Sequence, residues 1–267
     1  MGKMNVLAVG EVVGPESVQF LEVHLWDIRK KFEIEFAIIN GENAAVGNGI
    51  DVSSARSLLQ SGADVVTTGN HVFKKREIRE FISSNGHVIR PANYPDGCPG
   101  SGYTIENICG YRVLVINVLG TVYLEALDNP FHTVDKILTR EAGRYDFAIM
   151  DIHAEATAEK IAMARYFDGR ISIIFGTHTH VQTADEMILP NGTGYITDVG
   201  MTGPEISVLG VRPDCIITKM MTKMPVRFEV AEGHIVICGA VFTLDTDTGR
   251  VVEVHRICER EGTPVAI

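Results

Sequence analysis

Hydrophobic positions in the first two-thirds of the chain form short apolar runs that alternate with longer segments of helical spacing. The apolar runs predict strands at 6–9, 36–39, 65–68, 111–118, 147–150 and 171–175. The helical spacing predicts helices at 15–32, from a cap at Asp51 or Ser53 to 61, and at 74–84, 133–142 and 155–167. Prolines at 91, 95 and 99 argue against regular structure over 90–102. This alternation is typical of a layered α/β fold.

The last third of the chain has a different pattern, in which apolar and polar positions alternate around short turns. Pro190-Asn191-Gly192 separates the apolar runs 187–189 and 195–197 and predicts a hairpin. The segments 226–230, 235–244 and 251–257 predict further antiparallel strands. Because no linker or internal repeat interrupts the pattern, we expect one domain over 1–267, with a two-layer sheet and helices outside it.

Polar residues able to bind metal follow four of the predicted strands. They are Glu42 and Asn43, Asn70 and His71, His153, and the pair His178 and His180. Ligands in α/β proteins bind at the carboxyl ends of strands, and imidazole is a frequent metal ligand. The four segments together therefore predict one metal site and hydrolytic chemistry. Because alternate residues of an extended strand point to opposite faces, both histidines of the pair can reach that site only if the backbone turns.

Each of these segments also has an ordinary structural interpretation. A single histidine at a strand end is commonly a hydrogen-bonded structural residue, and Gly-Asn and Gly-Glu-Asn are common turn sequences. Their joint occurrence at successive strand ends favours the metal site. His71, beside Asn70, would then be free to donate a proton. Arg90 is either a phosphate contact or a residue that fixes its own loop.

Composition narrows the class of protein. The five cysteines are scattered and contain no C-x-x-C pair, which predicts free thiols in a reducing compartment. The net charge of −10 disfavours broad binding to nucleic acid. No apolar run approaches the roughly 18 residues that span a bilayer. We therefore expect a cytoplasmic protein that makes no membrane contact.

Seven segments, in order along nearly the whole chain, strongly resemble the YmdB family of bacterial calcineurin-like metallophosphoesterases, which are 2′,3′-cyclic-nucleotide 2′-phosphodiesterases. The segments are Gly10-Glu11-Val12-Val13-Gly14, Asn40-Gly41-Glu42-Asn43-Ala44-Ala45, Gly69-Asn70-His71, Arg90-Pro91-Ala92-Asn93, His153-Ala154-Glu155-Ala156-Thr157, Gly176-Thr177-His178-Thr179-His180-Val181-Gln182-Thr183-Ala184-Asp185 and Thr197-Asp198-Val199-Gly200-Met201-Thr202-Gly203-Pro204.

The resemblance implies an α/β fold of the calcineurin-like type, a β-sandwich flanked by α-helices, with two transition-metal ions. Iron or manganese is expected, with magnesium or zinc as alternatives. One ion would be held by Glu11, Glu42, Asn43 and His180. The second would be held by Glu42 as the bridge, with Asn70, His153 and His178. His71 matches the family's catalytic histidine, and the resemblance also implies a homo-oligomer.

The expected reaction is hydrolysis of a small phosphodiester, a 2′,3′-cyclic nucleotide, with RNA or other diesters as further candidate substrates. A hydroxide held between the two ions would attack phosphorus, and His71 would act as general acid. One residue departs from the family pattern, because Glu11 stands where the family usually has Asp. This departure predicts a modified first metal position. A metal-bearing regulatory protein with catalysis weakened by Glu11 is one alternative. A phosphomonoesterase is another, because the metal chemistry of the two reactions is shared.

Overall fold

Two β-sheets pack face to face in residues 2–262, the part of the chain that this computed structural model describes. The strands are β1 (Lys3–Val9), β2 (Glu11–Val12), β3 (Ile34–Asn40), β4 (Val65–Thr67), β5 (Tyr103–Ile108), β6 (Tyr111–Leu119), β7 (Phe147–His153), β8 (Ile173–Thr177), β9 (Met187–Ile188), β10 (Gly194–Ile196), β11 (Met201–Pro204), β12 (Ile235–Asp245) and β13 (Val251–Arg260). The helices are α1 (Gly14–Lys31), α2 (Val52–Gln60), α3 (Ile78–Ser84), α4 (Pro130–Arg140), α5 (Thr157–Phe167) and α6 (Pro213–Thr222).

The first sheet has the order β2-β11-β12-β1-β3-β4. Strand β13 lies outside this path and pairs with β12 along the edge opposite to β1. Strands β1, β3 and β4 run parallel, whereas β12 is antiparallel to β1. The second sheet has the order β5-β6-β7-β8-β10-β9, and its strands β6, β7, β8 and β10 are parallel. Each sheet therefore has several strands whose carboxyl ends lie at a common edge.

Three apolar clusters hold these layers together. The cluster between the sheets includes Val6, Phe36, Val115 and Phe175, all fully buried. A second cluster packs α1, α2 and α3 against the outer face of the first sheet, and a third packs α4 and α5 against the second sheet. The near-continuous apolar character of β7, which is buried along its whole length, follows from this coverage on both faces. The predicted β-sandwich flanked by helices is confirmed.

Most of the predicted elements are present, with shifted ends. Pro15 lies in the first turn of α1, and Asp51 caps α2 by accepting a hydrogen bond from the backbone N–H of Ser54. The predicted hairpin forms between β9 and β10, which pair antiparallel. The predicted helix over 74–84 begins only at Ile78, because residues 70–77 form turns that close on His71.

Two parts of the predicted pattern are wrong or incomplete. The segment 226–230 is not a strand, since only Val230 forms an isolated bridge, to Val211, and Phe228 is exposed. Apolar and polar residues alternate along this segment, but no neighbouring strand pairs with it. The sequence analysis also missed the short strands β2, β5 and β11 and the helix α6, which buries none of its residues.

Across residues 2–262, none of the helices is both long enough and apolar enough to cross a membrane. All five cysteines carry free thiols, as expected. The predicted domain over 1–267 includes Met1 and residues 263–267, which lie outside the described part of the chain.

Candidate metal centre

The predicted site residues come together where the carboxyl ends of strands from both sheets meet. The first sheet contributes Glu11, Glu42, Asn43, Asn70 and His71, which follow β1, β3 and β4. The second sheet contributes His153 at the end of β7 and His178 and His180 after β8. Side-chain contacts connect all eight residues. The residues are therefore in place for a shared site, while their individual roles stay predictions.

One set of donors surrounds Glu11. The Oε2 atom of Glu11 lies 3.1 Å from Nε2 of His180, and the Asn43 amide donates to Oε1 at 3.0 Å. The same amide nitrogen is 3.4 Å from Nε2 of His180. Two ligands that each lie about 2.0–2.2 Å from one metal ion are themselves about 3 Å apart. The spacing of this set therefore matches that of ligands around a single ion.

A second set surrounds His153. Its Nε2 atom lies 3.1 Å from Oδ1 of Asn70 and 3.1 Å from Nδ1 of His178. The carboxylate of Glu42 approaches the same nitrogen at 3.9 Å. The backbone N–H of His178 donates to Oε2 of Glu11 at 2.8 Å, which joins this set to the first.

Three imidazoles each direct one ring nitrogen away from the site, toward a partner that fixes the ring. His180 Nδ1 faces the carbonyl of Leu209 at 3.1 Å, and His178 Nε2 faces Glu155 at 3.1 Å. Because a carbonyl oxygen can only accept, Nδ1 of His180 is the donor to Leu209. The remaining nitrogen of each ring is then directed at the site, as in histidines that bind metals.

His153 is fixed through a threonine. Its Nδ1 lies 3.0 Å from Oγ1 of Thr177, whose hydroxyl donates to Asp151 at 2.8 Å. Since that hydroxyl hydrogen is already engaged, Nδ1 of His153 is the donor and Nε2 carries a lone pair. Complete burial lowers the pKa of His153 to about 3 and so favours the neutral ring. Nδ1 of His178 and Oδ1 of Asn70 both lie 3.1 Å from the Nε2 atom that carries this lone pair. A cation is the natural partner for such a group.

The backbone turn that the His178 and His180 pair requires is present. Both residues have positive φ, 99° for His178 and 61° for His180. Residues other than glycine seldom adopt this region, at a cost of about 1–3 kcal/mol each, and such strain is often found at functional sites. The turn brings both rings to the same side, as the sequence analysis required.

Glu42 has the environment expected of a carboxylate that awaits a cation. Its side chain is buried, and its Oε2 atom finds no hydrogen-bond partner among residues 2–262. Burial and the negative charge of Glu11 raise the pKa of Glu42 well above its usual range. Burial also opposes ionisation of Glu11, but the adjacent His180 prevails and holds the pKa of Glu11 well below the usual range. A cation beside both carboxylates would relieve their repulsion.

Gly69 leaves the space that His153 occupies. A Cβ built on Gly69 would collide with the imidazole ring of His153, with the ring atoms Nε2, Cδ2 and Cε1 nearest. The turn before Asn70 and His71 can therefore approach the histidine only because residue 69 has no side chain.

Within the described range, no three His, Cys, Asp or Glu side chains form a ready-made cluster for one ion. Each of the two sets described above combines two such side chains with one asparagine amide, and Glu42 lies 3.9 Å from His153 of the second set. Amide oxygens also bind metals such as Mn²⁺. The donor chemistry therefore fits two ions that share Glu42.

Several residues that support the site were not among the predicted site residues. Asp151 and His153, two positions apart on β7, share a face, so alternation along the strand would have placed Asp151 behind the histidine. Nothing in the sequence indicates that the carbonyl of Leu209 faces His180. Arg90 is buried and donates to the carbonyls of Pro91 and Pro99, which favours its role in fixing the loop.

The chain is similar to known proteins over most of its length. A family model described as YmdB-like protein matches residues 7–257. The chain is 46% identical to the 2′,3′-cyclic-nucleotide 2′-phosphodiesterase of Bacillus subtilis strain 168 over 254 residues, 95% of this chain and 96% of the relative. Among solved structures, a hypothetical protein from Thermus thermophilus superposes with a TM-score of 0.90 and 38% identity, covering 97% of this chain and 100% of the other.

A novel phosphatase from Mycoplasma pneumoniae superposes with a TM-score of 0.92 and 30% identity, covering 99% of this chain and 96% of the other. The family model, the curated relative and both structures each extend over most of the chain. On these grounds the chain belongs to the YmdB-like protein family.

Proposed function

We propose that this protein is a metal-dependent phosphodiesterase that hydrolyses 2′,3′-cyclic nucleotides. The observation that carries the proposal is the orientation of His153, His178 and His180, each with one ring nitrogen engaged outside the site and the other directed into it. The substrate class follows from the activity named for the Bacillus subtilis relative, which is 46% identical.

We assign the ligands to two ions. Glu11, Asn43 and His180 hold one ion, and Asn70, His153 and His178 hold the other. Glu42 bridges both, a role supported by its buried and unpartnered Oε2 atom. Asn43 directs its amide nitrogen toward Glu11 and His180, so it must rotate its amide to bind an ion through oxygen. The mixture of imidazole, carboxylate and amide donors suits iron or manganese.

When bound, the two cations would supply positive charge for the phosphate oxygens and would activate water for attack. The role of His71 is to transfer a proton to the leaving 2′ oxygen. Its Nδ1 atom lies 3.1 Å from Oδ1 of Asn43 and 3.4 Å from Oε1 of Glu42. Rotation of the Asn43 amide removes the first contact and leaves the Glu42 carboxylate beside the ring. Burial and the Lys74 ammonium lower the pKa of His71. An entering phosphate anion favours the protonated ring, which is the form that donates.

A small substrate fits the charge of the protein better than a long one. The net charge of −10 opposes the binding of polyanionic RNA, whereas a mononucleotide diester needs only the local positive charge of the site. A second candidate activity is hydrolysis of phosphomonoesters, because the Mycoplasma pneumoniae neighbour is described as a phosphatase.

The test is a parallel assay on protein of known metal content. The substrates are 2′,3′-cyclic AMP, bis(p-nitrophenyl) phosphate, p-nitrophenyl phosphate and a short RNA. We expect the cyclic nucleotide to have the highest kcat/KM and to give the 3′-phosphate. Preference for the monoester would replace the proposed activity with the phosphomonoesterase. Two bound ions without turnover of any substrate would favour the regulatory alternative.

A further inference from the structure

A buried ion pair lies behind the loop that carries two of the histidines. The ammonium of Lys160, on α5, donates to Oδ2 of Asp198 at 2.8 Å, and the two side chains are 1% and 0% exposed. Neither residue belongs to the proposed ligands. Burying two charges is costly, and their attraction offsets the cost only when further hydrogen bonds are made. The contacts of Asp198 therefore show what this pair holds in place.

Asp198 uses its remaining acceptor sites on the histidine loop. Its Oδ2 atom accepts from the backbone N–H of Thr179 at 3.1 Å and from the Thr179 hydroxyl at 2.7 Å. Its Oδ1 atom accepts from the backbone N–H of Gly200 at 2.8 Å. Thr179 is the residue between His178 and His180, so the carboxylate contacts the loop at the point between the two rings.

The loop needs such an anchor because its backbone is strained on both sides of Thr179. His178 and His180 both have positive φ. The relaxed alternative is an extended segment, in which the two rings would point to opposite faces. The hydrogen bonds to Thr179 therefore favour the conformation in which both imidazoles face the site.

The lysine stem is built into the same sheet end. A Cβ on Gly176, just before the loop, would lie only 2.8 Å from Cδ of Lys160 and would overlap the carbonyl of Thr197. Gly176 thus lets the side chain from α5 cross β8 to reach Asp198. The pair connects a helix, the end of β8 and the segment after β10.

We propose that Lys160 and Asp198 are positioning residues that hold His178 and His180 in the geometry needed to bind metal. The inference rests on the proposed function, since it assumes that these histidines are ligands. Its consequence is that metal affinity depends on the hydroxyl of Thr179, although that hydroxyl does not itself contact an ion.

The test compares two threonine-to-valine variants. Thr179→Val removes the hydroxyl that donates to Asp198 and keeps the side-chain shape and the backbone N–H. Thr121→Val is the matched control. Its hydroxyl donates at 3.3 Å to Glu159, the buried carboxylate next to Lys160 on α5, and its loop carries none of the proposed ligands. Asp198→Asn is unsuitable as the main variant because it leaves the Lys160 ammonium buried without its charged partner.

Each metal-free protein is titrated with Mn²⁺ by calorimetry, and bound metal is counted by elemental analysis. Supporting contacts of this kind are worth about 10–100-fold in metal affinity. We expect Thr179→Val to bind Mn²⁺ about tenfold more weakly than wild type and Thr121→Val to match wild type. Thermal melting of the metal-free proteins shows whether the variants differ in stability. If Thr179 had a merely structural role, its replacement would change stability without altering the affinity for Mn²⁺.

Two results would overturn the inference while leaving the proposed function intact. In the first, folded Thr179→Val binds Mn²⁺ as tightly as wild type. In the second, both variants lose affinity equally, which would indicate general loosening of this sheet end. If folded wild-type protein takes up no metal, the proposed function fails and the inference fails with it.

Discussion

His71 differs from the other imidazoles of the site in the contacts of its ring. Its Nδ1 atom faces Asn43 and Glu42, and its side chain is 31% exposed. Among residues 2–262, no hydrogen bond is present to its Nε2 atom. A ring fixed on one side and open on the other is suited to transfer a proton to a bound substrate. The same exposure makes it a weaker candidate for a metal ligand than the fully buried His153.

Replacing His71 with alanine tests that role. We expect His71→Ala to lower kcat on the cyclic nucleotide by about 10²–10⁴-fold, the usual contribution of a general acid. Bound metal, measured by elemental analysis, should stay at the wild-type level. His87→Ala, which removes a half-exposed histidine beside Glu106, is the control for loss of an imidazole elsewhere. Loss of metal in proportion to activity would instead make His71 a ligand.

Glu11 shows how the longer carboxylate is accommodated. Its Oε2 atom accepts from the backbone N–H of His178 and lies beside Nε2 of His180, while Oε1 accepts from Asn43. The extra methylene therefore extends the carboxylate from the first sheet to the histidine loop of the second. The residue remains at the site with its charge, and its effect on metal affinity and on activity stays a prediction.

At the scale of single elements, the turns after the strands determine whether the donors can meet. The turn after β4 is the tightest case, because Gly69 lies against the ring of His153. Any side chain at this position must displace either the turn, which carries Asn70 and His71, or the histidine.

Gly69→Ala should therefore disrupt the second donor set. We expect the variant to retain about one of its two ions and to lose most of its activity, as seen by elemental analysis and by the cyclic-nucleotide assay. Gly86→Ala is the matched control, since a Cβ at Gly86 would meet no atom within 4 Å. If Gly69→Ala binds as much metal as wild type, metal binding does not require the ring of His153 to occupy its observed position.

The same scale explains what could be predicted from the sequence. Buried strands such as β7 and β8 and amphipathic helices such as α4 have periodic patterns, and residues after parallel strands meet at one edge. The positive φ of His178 and His180 has no such pattern, because it depends on the contact between Thr179 and Asp198. The Leu209 carbonyl that faces His180 likewise has no signal in the sequence. Contacts between segments distant in the chain determine all of these features.

At the scale of the whole molecule, the site joins the two sheets. Glu11, Glu42, Asn43 and Asn70 follow strands of the first sheet, whereas the three histidines of the donor sets follow strands of the second. The apolar cluster between the sheets holds them together elsewhere. At this end Glu42 is buried beside Glu11, and burial together with the negative charge of Glu11 raises the pKa of Glu42. Bound cations would therefore stabilise the contact between the sheets.

Metal removal should accordingly lower the thermal stability of the whole fold. An ion at 100 times its Kd adds about 2.7 kcal/mol to the folded state. At about 2–4 °C per kcal/mol for a chain near this size, the Tm should fall by roughly 5–10 °C for each such ion lost. Differential scanning calorimetry before and after chelation, and again after Mn²⁺ is restored, measures this shift. Gly69→Ala should show a smaller shift because it holds fewer ions. An unchanged Tm in wild type would mean that the ions do not bind the folded protein in preference to the unfolded chain, since a ligand that binds only the folded state must stabilise it.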